Sequence, residues 1–297
     1  MTSSAQSVPF AYTGPASRTL PQVGWRYLRR HPAETISLCW VLLLIMLAIA
    51  PGLFAPEGFN DQDLLARLQG PSLSHPLGTD DLGRDTLSRV IYGTRISVVV
   101  GLLSAIFAGA VGITLGLAAG YSGGWLDGLI MRIVDAFLAI PGVILALGIV
   151  AAVGGGIGPL MFAIGIGYIP AFIRLTRGSV LGETGKLYVL SARAIGLKPG
   201  RIMWRHILPN IMSPLTVQAT IAVGLGIIIE ASLSFLGVGI RPPQASWGVM
   251  LKASYGYLEE QPILSIVPGV AIMLTVMSLN FLGDGIRDWF DPRTRTK

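Results

Sequence analysis

Charge is what this sequence has least of. Asp, Glu, Lys and Arg together make up 13% of its 297 residues, against roughly 25% in a soluble globular domain. Cysteine occurs once, as Cys39 inside an apolar run, which excludes an internal disulfide and any multi-cysteine metal site. The three histidines, His31, His75 and His206, are far apart and form no ligand or catalytic cluster. No low-complexity tract is present and no repeat at a period of 20–50 residues, so solenoid architectures are excluded. Ser-His-Asp spacing is absent. The segment Gly182-Glu183-Thr184-Gly185-Lys186-Leu187 superficially looks like a phosphate loop, but two residues separate its glycines and Leu187 follows the lysine. A phosphate loop needs four residues between the glycines and Ser or Thr after the lysine, so no nucleotide site is read here. The net charge of +6 is spread between apolar runs instead of forming one patch, which argues against nucleic acid.

Apolar residues dominate, at 52% of the chain with a mean hydropathy of +0.65. A helix crosses a bilayer with about 20 apolar residues, and the sequence offers six such runs, at 36–54, 96–120, 133–153, 157–173, 211–238 and 263–283. The expected fold is therefore all-α, an integral membrane protein of six transmembrane helices. Ala48-Ile49-Ala50 has the form of a signal-peptidase site, but the first run starts too late and is too long for a signal core, so it reads as an uncleaved anchor. Residues 1–35 read as a tail ending in an interfacial helix with Trp25, Arg26, Tyr27, Arg29 and Arg30. An outer connection follows the anchor at 55–95, a five-helix core occupies 96–285, and 286–297 form a short tail.

Counting basic residues sets the orientation. With both termini and the 121–132 and 174–210 links on one side, that side holds 16 of the 22 Lys and Arg residues. The positive-inside rule places it in the cytoplasm.

Between the fourth and fifth runs lies a polar stretch, 188–209, with Arg193, Lys198, Arg201, Arg205 and His206 and no acid. It reads as two short helices turning at Gly196, with Pro199 in the favoured first-turn position of the second. A loop this ordered and basic suits a docking surface for a cytoplasmic partner. Small Ser191 and Ala192 are expected to let that partner approach closely.

Several motifs in order carry a resemblance. Ser191-Ala192, then Gly196 and Leu208-Pro209, resemble the EAA loop of permease subunits of bacterial ABC importers, with Leu190 where that motif has an acid. HPLGTDDLGRD at 75–85, Arg241-Pro242-Pro243 with Trp247-Gly248, and Gly283-Asp284-Gly285-Ile286-Arg287-Asp288 with Asp291-Pro292 resemble the dipeptide/oligopeptide/nickel subfamily, specifically its second permease. The resemblance implies a type I (MetI-like) permease fold with a cytoplasmic coupling helix. It also implies a second homologous permease, two ATP-binding cassette ATPase subunits and a periplasmic or lipid-anchored solute-binding protein as partners. ATP and Mg would sit on the ATPases, with no cofactor on this chain and no bond chemistry catalysed by it. The ATPase-coupling residues implied are Ser191, Ala192, Arg193, Ala194, Gly196, Leu197, Arg201, His206, Leu208 and Pro209. The solute class is peptides or a related small molecule, crossing the bacterial inner membrane.

Three further features stand beside it. Glu230 is the one acid deep in an apolar run, where a charge costs roughly 2.5–3.5 kcal/mol, so it must face a cavity or be paired. Pathway lining with Ser232, or a buried hydrogen bond to Ser232 or a partner, are both open. Asp80, Asp81, Arg84 and Asp85 are candidates for an external mouth. They lack the alternating ligands of a calcium loop and read better as turns, capped by Asp80 or Asp81, leading into a helix from Thr86. Gly112, Gly116 and Gly120 lie on one helix face and predict close packing. An ion-gradient transporter using Glu230 is the rival reading, but the internal repeats and paired broken helices of such folds are not evident.

Overall fold

In hydrocarbon no water is available to backbone amides and carbonyls, so apolar runs without strand partners must close their hydrogen bonds as helices. The computed structural model describes residues 32–290, which form helices and connecting turns without a strand. The expected tail at 1–31 and the Asp291-Pro292 pair lie outside the described residues. The main elements are α1 (Pro32–Ile49), α2 (Thr86–Ser122), α3 (Gly124–Leu138), α4 (Gly142–Val153), α5 (Ile157–Thr184), α6 (Leu187–Ala194), α7 (Met212–Phe235), α8 (Trp247–Ser254) and α9 (Ile263–Phe290). Helices α1, α2, α5, α7 and α9 are each long and apolar enough to cross a membrane. Helices α3 and α4 pass the same test only as a pair, bent by 86° at the break between them, the geometry of a broken span or a re-entrant loop.

That break corrects the expectation of one run at 133–153. Pro141 sits in extended backbone (φ −54°, ψ 128°) as the residue before α4, so the chain turns there instead of bending gently. Pro170 and Pro268 behave otherwise, each lying inside a continuous helix. A proline in a membrane helix is tolerated when neighbouring helices hold the backbone on either side, and Pro170 is buried against the rest of the bundle. As a result α5 does not end near residue 173. It continues to Thr184, 28 residues or about 42 Å, which carries its far end beyond a hydrocarbon core of about 30 Å.

Helices α2 and α5 form the central pair, with α7 packed on α2 and on α9, α4 on the first half of α5, and α1 against α9 and α2. The glycine face explains how close the central pair lies. A Cβ at Gly116 would stand 2.5 Å from Thr176 Cβ and 2.8 Å from the Ile173 carbonyl; at Gly120 it would stand 2.8 Å from Val180 Cβ. The start of α2 is fixed by Asp85, whose carboxylate accepts a 2.7 Å hydrogen bond from the Ser88 amide. The helix thus begins at Thr86, as the local sequence predicts, with Asp85 as its cap and Asp80 capping the turn before it.

Gly116→Ala is expected to destabilise the fold by about 1–3 kcal/mol, because the added carbon meets backbone and Cβ atoms that cannot step aside. Gly128→Ala, where the added carbon meets open space, is expected to be neutral or slightly stabilising. Thermal unfolding of the two variants in detergent checks the contrast.

Candidate coupling surface and polar sites

The 187–210 segment is built as the sequence suggests and mounted in a way it does not reveal. Helix α6 ends in a Schellman turn: the Leu197 amide donates to the Ala192 carbonyl (3.1 Å) and the Gly196 amide to the Arg193 carbonyl (3.0 Å). Gly196 takes φ +76°, the left-handed region where a Cβ is penalised. A short turn at Pro199–Ile202 and a wider one at Met203–Ile207 then lead through Leu208–Asn210 into α7.

Residues 189 and 192 share one face of α6, and that face points into the protein. Val189, Ala192, Ile202 and Ile207 are buried against Leu117 of α2, Val180 of α5, and Ile211 and Leu215 at the start of α7. Ala192 therefore does not offer itself to a partner; its small side chain lets the loop settle on its own spans. Leu197, His206 and Leu208 are half-buried, whereas Ser191, Arg193, Ala194, Gly196, Arg201 and Pro209 are exposed. The outer face also carries apolar residues outside the expected set: Leu187 (82% exposed), Leu190 (47%), Ile195 (75%) and Trp204 (52%). Exposed apolar side chains on a polar loop make it a candidate interaction surface.

Polar contacts fasten the loop at its base. Buried Glu183, near the end of α5, accepts 2.6 Å hydrogen bonds from Lys186 Nζ and from the Tyr188 hydroxyl. Burial and then the Glu183 carboxylate push the Tyr188 phenol up to about 12, so it remains a donor at any physiological pH. Arg193 lies over the Tyr121 ring at the end of α2, 4.7 Å from its centroid, a cation–π contact.

Glu230 sits in a closed polar cluster. Its carboxylate accepts from Ser97 Oγ of α2 (2.8 Å) and Ser234 Oγ (2.9 Å). Ser97 Oγ in turn accepts from the Trp247 amide (3.3 Å), and Ser234 Oγ from the Ile240 amide (3.1 Å). The fully buried Trp247 completes the knot by donating its indole N–H to the Val90 carbonyl (3.2 Å). The partner is Ser234 and not Ser232, because residues four apart face each other on a helix and residues two apart do not. Ser232 is half-buried and donates to the Ile228 carbonyl.

At the same end of the molecule, Asp80 accepts from Arg84 Nε (2.8 Å) and from the Leu82 and Arg84 amides, and pairs with Arg89 Nε at 3.3 Å. Asp81 lies 3.8 Å from Arg84. Asp85 takes His75 Nδ1 at 3.2 Å besides its amide partner, and Arg89 also donates to the Phe59 carbonyl. These acids are turned to the protein's own cations and amides, and they pin the 55–85 connection to the start of α2.

Glu230→Ala orphans two buried hydroxyls and is expected to cost about 2–4 kcal/mol, with Glu230→Gln costing under half as much because an amide oxygen still accepts. Denaturation midpoints of the two variants in matched detergent test this ordering.

The family described as "Binding-protein-dependent transport system inner membrane component" matches residues 112–296, and the "N-terminal TM domain of oligopeptide transport permease C" matches residues 19–71. The chain is 44% identical over 274 residues to a glutathione transport system permease protein, GsiD, of Pectobacterium atrosepticum, covering 91% of this chain and 90% of that one. It is 40% identical over 272 residues to a dipeptide transport system permease protein, DppC, of Alkalihalophilus pseudofirmus, covering 92% and 90%. Among solved structures, an inward-facing MetNI methionine ABC transporter chain superposes with a TM-score of 0.58 at 20% identity, over 68% of this chain and 95% of that one, which establishes likeness of fold. The chain belongs to the binding-protein-dependent transport-system inner-membrane components and is a multi-pass permease subunit of an ABC importer, of the dipeptide and oligopeptide type.

Proposed function

We propose that this permease takes up peptide-like solutes, di- or oligopeptides or glutathione, and that the 187–210 segment is where its ATPase partners grip it. The observation that carries the coupling reading is the two-sidedness of that segment. Its inner face is buried among α2, α5 and α7, while its outer face exposes Leu187, Leu190, Ile195 and Trp204 beside Ser191, Arg193 and Arg201. A loop fixed on one side and apolar on the other transmits a push; a loose one absorbs it. The solute class rests on relatives named for glutathione and dipeptide transport.

In this reading the partners are a second, similar permease, two ATPase subunits holding ATP and Mg, and a solute-binding protein outside. Both termini and the 187–210 loop face the cytoplasm, on the distribution of basic residues. The core at 96–285 forms one half of the pathway, and residues 55–95, with Asp80, Asp81, Arg84 and Asp85, form part of its external rim. ATP binding closes the ATPase pair, draws the loops together and turns the spans outward to receive solute, and hydrolysis resets them. Glu230 acts here as a fastener of the external end, with Ser232 near the path.

Reconstitution tests the reading. Vesicles containing this chain, its partner permease and the two ATPases, supplied with binding protein, are expected to take up labelled dialanine or glutathione only with ATP. Ile195→Asp, which places a charge on the exposed face without touching the buried one, is expected to cut ATPase co-purification and uptake at least about tenfold, the loss of 1.4 kcal/mol or more of docking energy. Uptake driven by an ion gradient without ATPases contradicts the proposal.

A further inference from the structure

Helix α3 is held to the rest of the protein in an unusual way. Of its 15 residues only Val134 is buried, so little apolar contact fixes it. Two ion pairs bind it to α5 instead. Asp127 grips Arg177 with both oxygens, at 2.5 Å to Nε and 2.6 Å to Nη2, and Asp135 meets Arg174 Nη2 at 2.6 Å. The first pair is partly buried and the second exposed. On its other side α3 ends at the 86° break before Pro141. Beyond the break, α4 packs on the other half of the same helix: Ala146 and Val150 are buried among Leu160, Ala163 and Ile164 of the first half of α5.

The same half of α5 that holds α3 also holds the coupling loop. Arg174 and Arg177 are followed within two turns by Glu183, the acceptor of Lys186 and Tyr188 at the loop's base. Arg193 of the loop rests on Tyr121, three residues before α3 begins. One end of α5 therefore carries both the 187–210 loop and, largely by charge, a short helix that is joined to α2 through Gly123 and to α4 through residues 139–141.

We propose that α3 is a hinged arm, and that the Asp127–Arg177 and Asp135–Arg174 pairs are the link by which motion of the coupling loop reaches the break before α4. Bidentate arginine–carboxylate geometry suits this work, since it fixes direction as well as distance. Asp127 and Arg177 are positioning residues in the transport cycle and touch no solute. The inference rests on the ABC importer reading above.

The test uses the complete transporter, with this chain carrying Cys39→Ser and spin labels at Leu129→Cys in α3 and Val153→Cys in α4, both exposed positions. The distance between the labels is measured in the nucleotide-free state and after trapping with ATP and vanadate, which needs no knowledge of the solute. The expected result is a shift in the unaltered pairs, loss of that shift in Asp127→Arg with ATPase subunits still bound, and its return in the Asp127→Arg/Arg177→Asp exchange. Transported solute per ATP hydrolysed is expected to fall and recover in parallel. An unaltered distance on trapping, or a shift that survives Asp127→Arg, overturns the inference. So does loss of ATPase binding in Asp127→Arg that the exchange does not repair, since the pair then serves only folding. If the ATPases fail to accompany even the native chain, the importer reading itself fails, and the two failures are told apart at that first step.

Discussion

The close approach of α2 and α5 along the glycines at 112, 116 and 120 is the constraint on which the remaining architecture depends. Backbones brought this near leave no room for a side chain on the contact line, and they lock two long helices into one strut. The connecting segments then hang from the ends of that strut. At one end Leu117 and Tyr121 of α2 and Val180 and Glu183 of α5 receive the 187–210 loop. At the other, Asp85, Arg89 and Ser97 of α2 receive the 55–85 connection and the start of α8. Displacement of the loop cannot be absorbed between α2 and α5, because neither can slide past the other without a clash. In the coupling reading proposed above it passes outward, into α7 or into α3.

Polar groups in this protein serve assembly more than chemistry. The Glu230 carboxylate satisfies two serine hydroxyls, which satisfy two backbone amides in turn, so a costly charge site becomes a fully paired knot joining α2, α7 and the approach to α8. Asp80, Arg84 and Arg89 do the same for the connection that precedes α2. Burying charge in this way adds little net stability compared with an apolar core, but it permits only one arrangement of the elements it joins.

Much of this was legible in the sequence where a single segment decides the outcome. Runs of apolar residues specify spans because the bilayer sets the length. Glycines four apart specify a close face, and Gly196 followed by Pro199 specifies a turn between helices. The resemblance through Leu208-Pro209 and the Gly283–Asp288 segment pointed to the family that the comparisons established. What was not legible depends on neighbours. Pro141 breaks its span while Pro170 and Pro268 do not, because the difference lies in what packs around each. Ala192 was expected on the outer face of the loop and lies on the inner one, since only its three-residue spacing from Val189, a weak signal over eight residues, distinguishes the two. Ser234 could have been chosen over Ser232 from helical spacing alone. The Asp127–Arg177 pair joins residues fifty apart, and no local pattern announces it.

Site-specific photocrosslinking decides whether the loop's outer face belongs to the ATPases while its inner face belongs to the permease. A benzophenone amino acid at Ile195, in membranes expressing the whole transporter, is predicted to yield an adduct heavier by one ATPase subunit. The same probe at Leu73, fully exposed at the opposite end of the chain's fold, is predicted to yield no such adduct. ATPase adducts from position 73, or none from position 195, would show that the ATPases dock elsewhere.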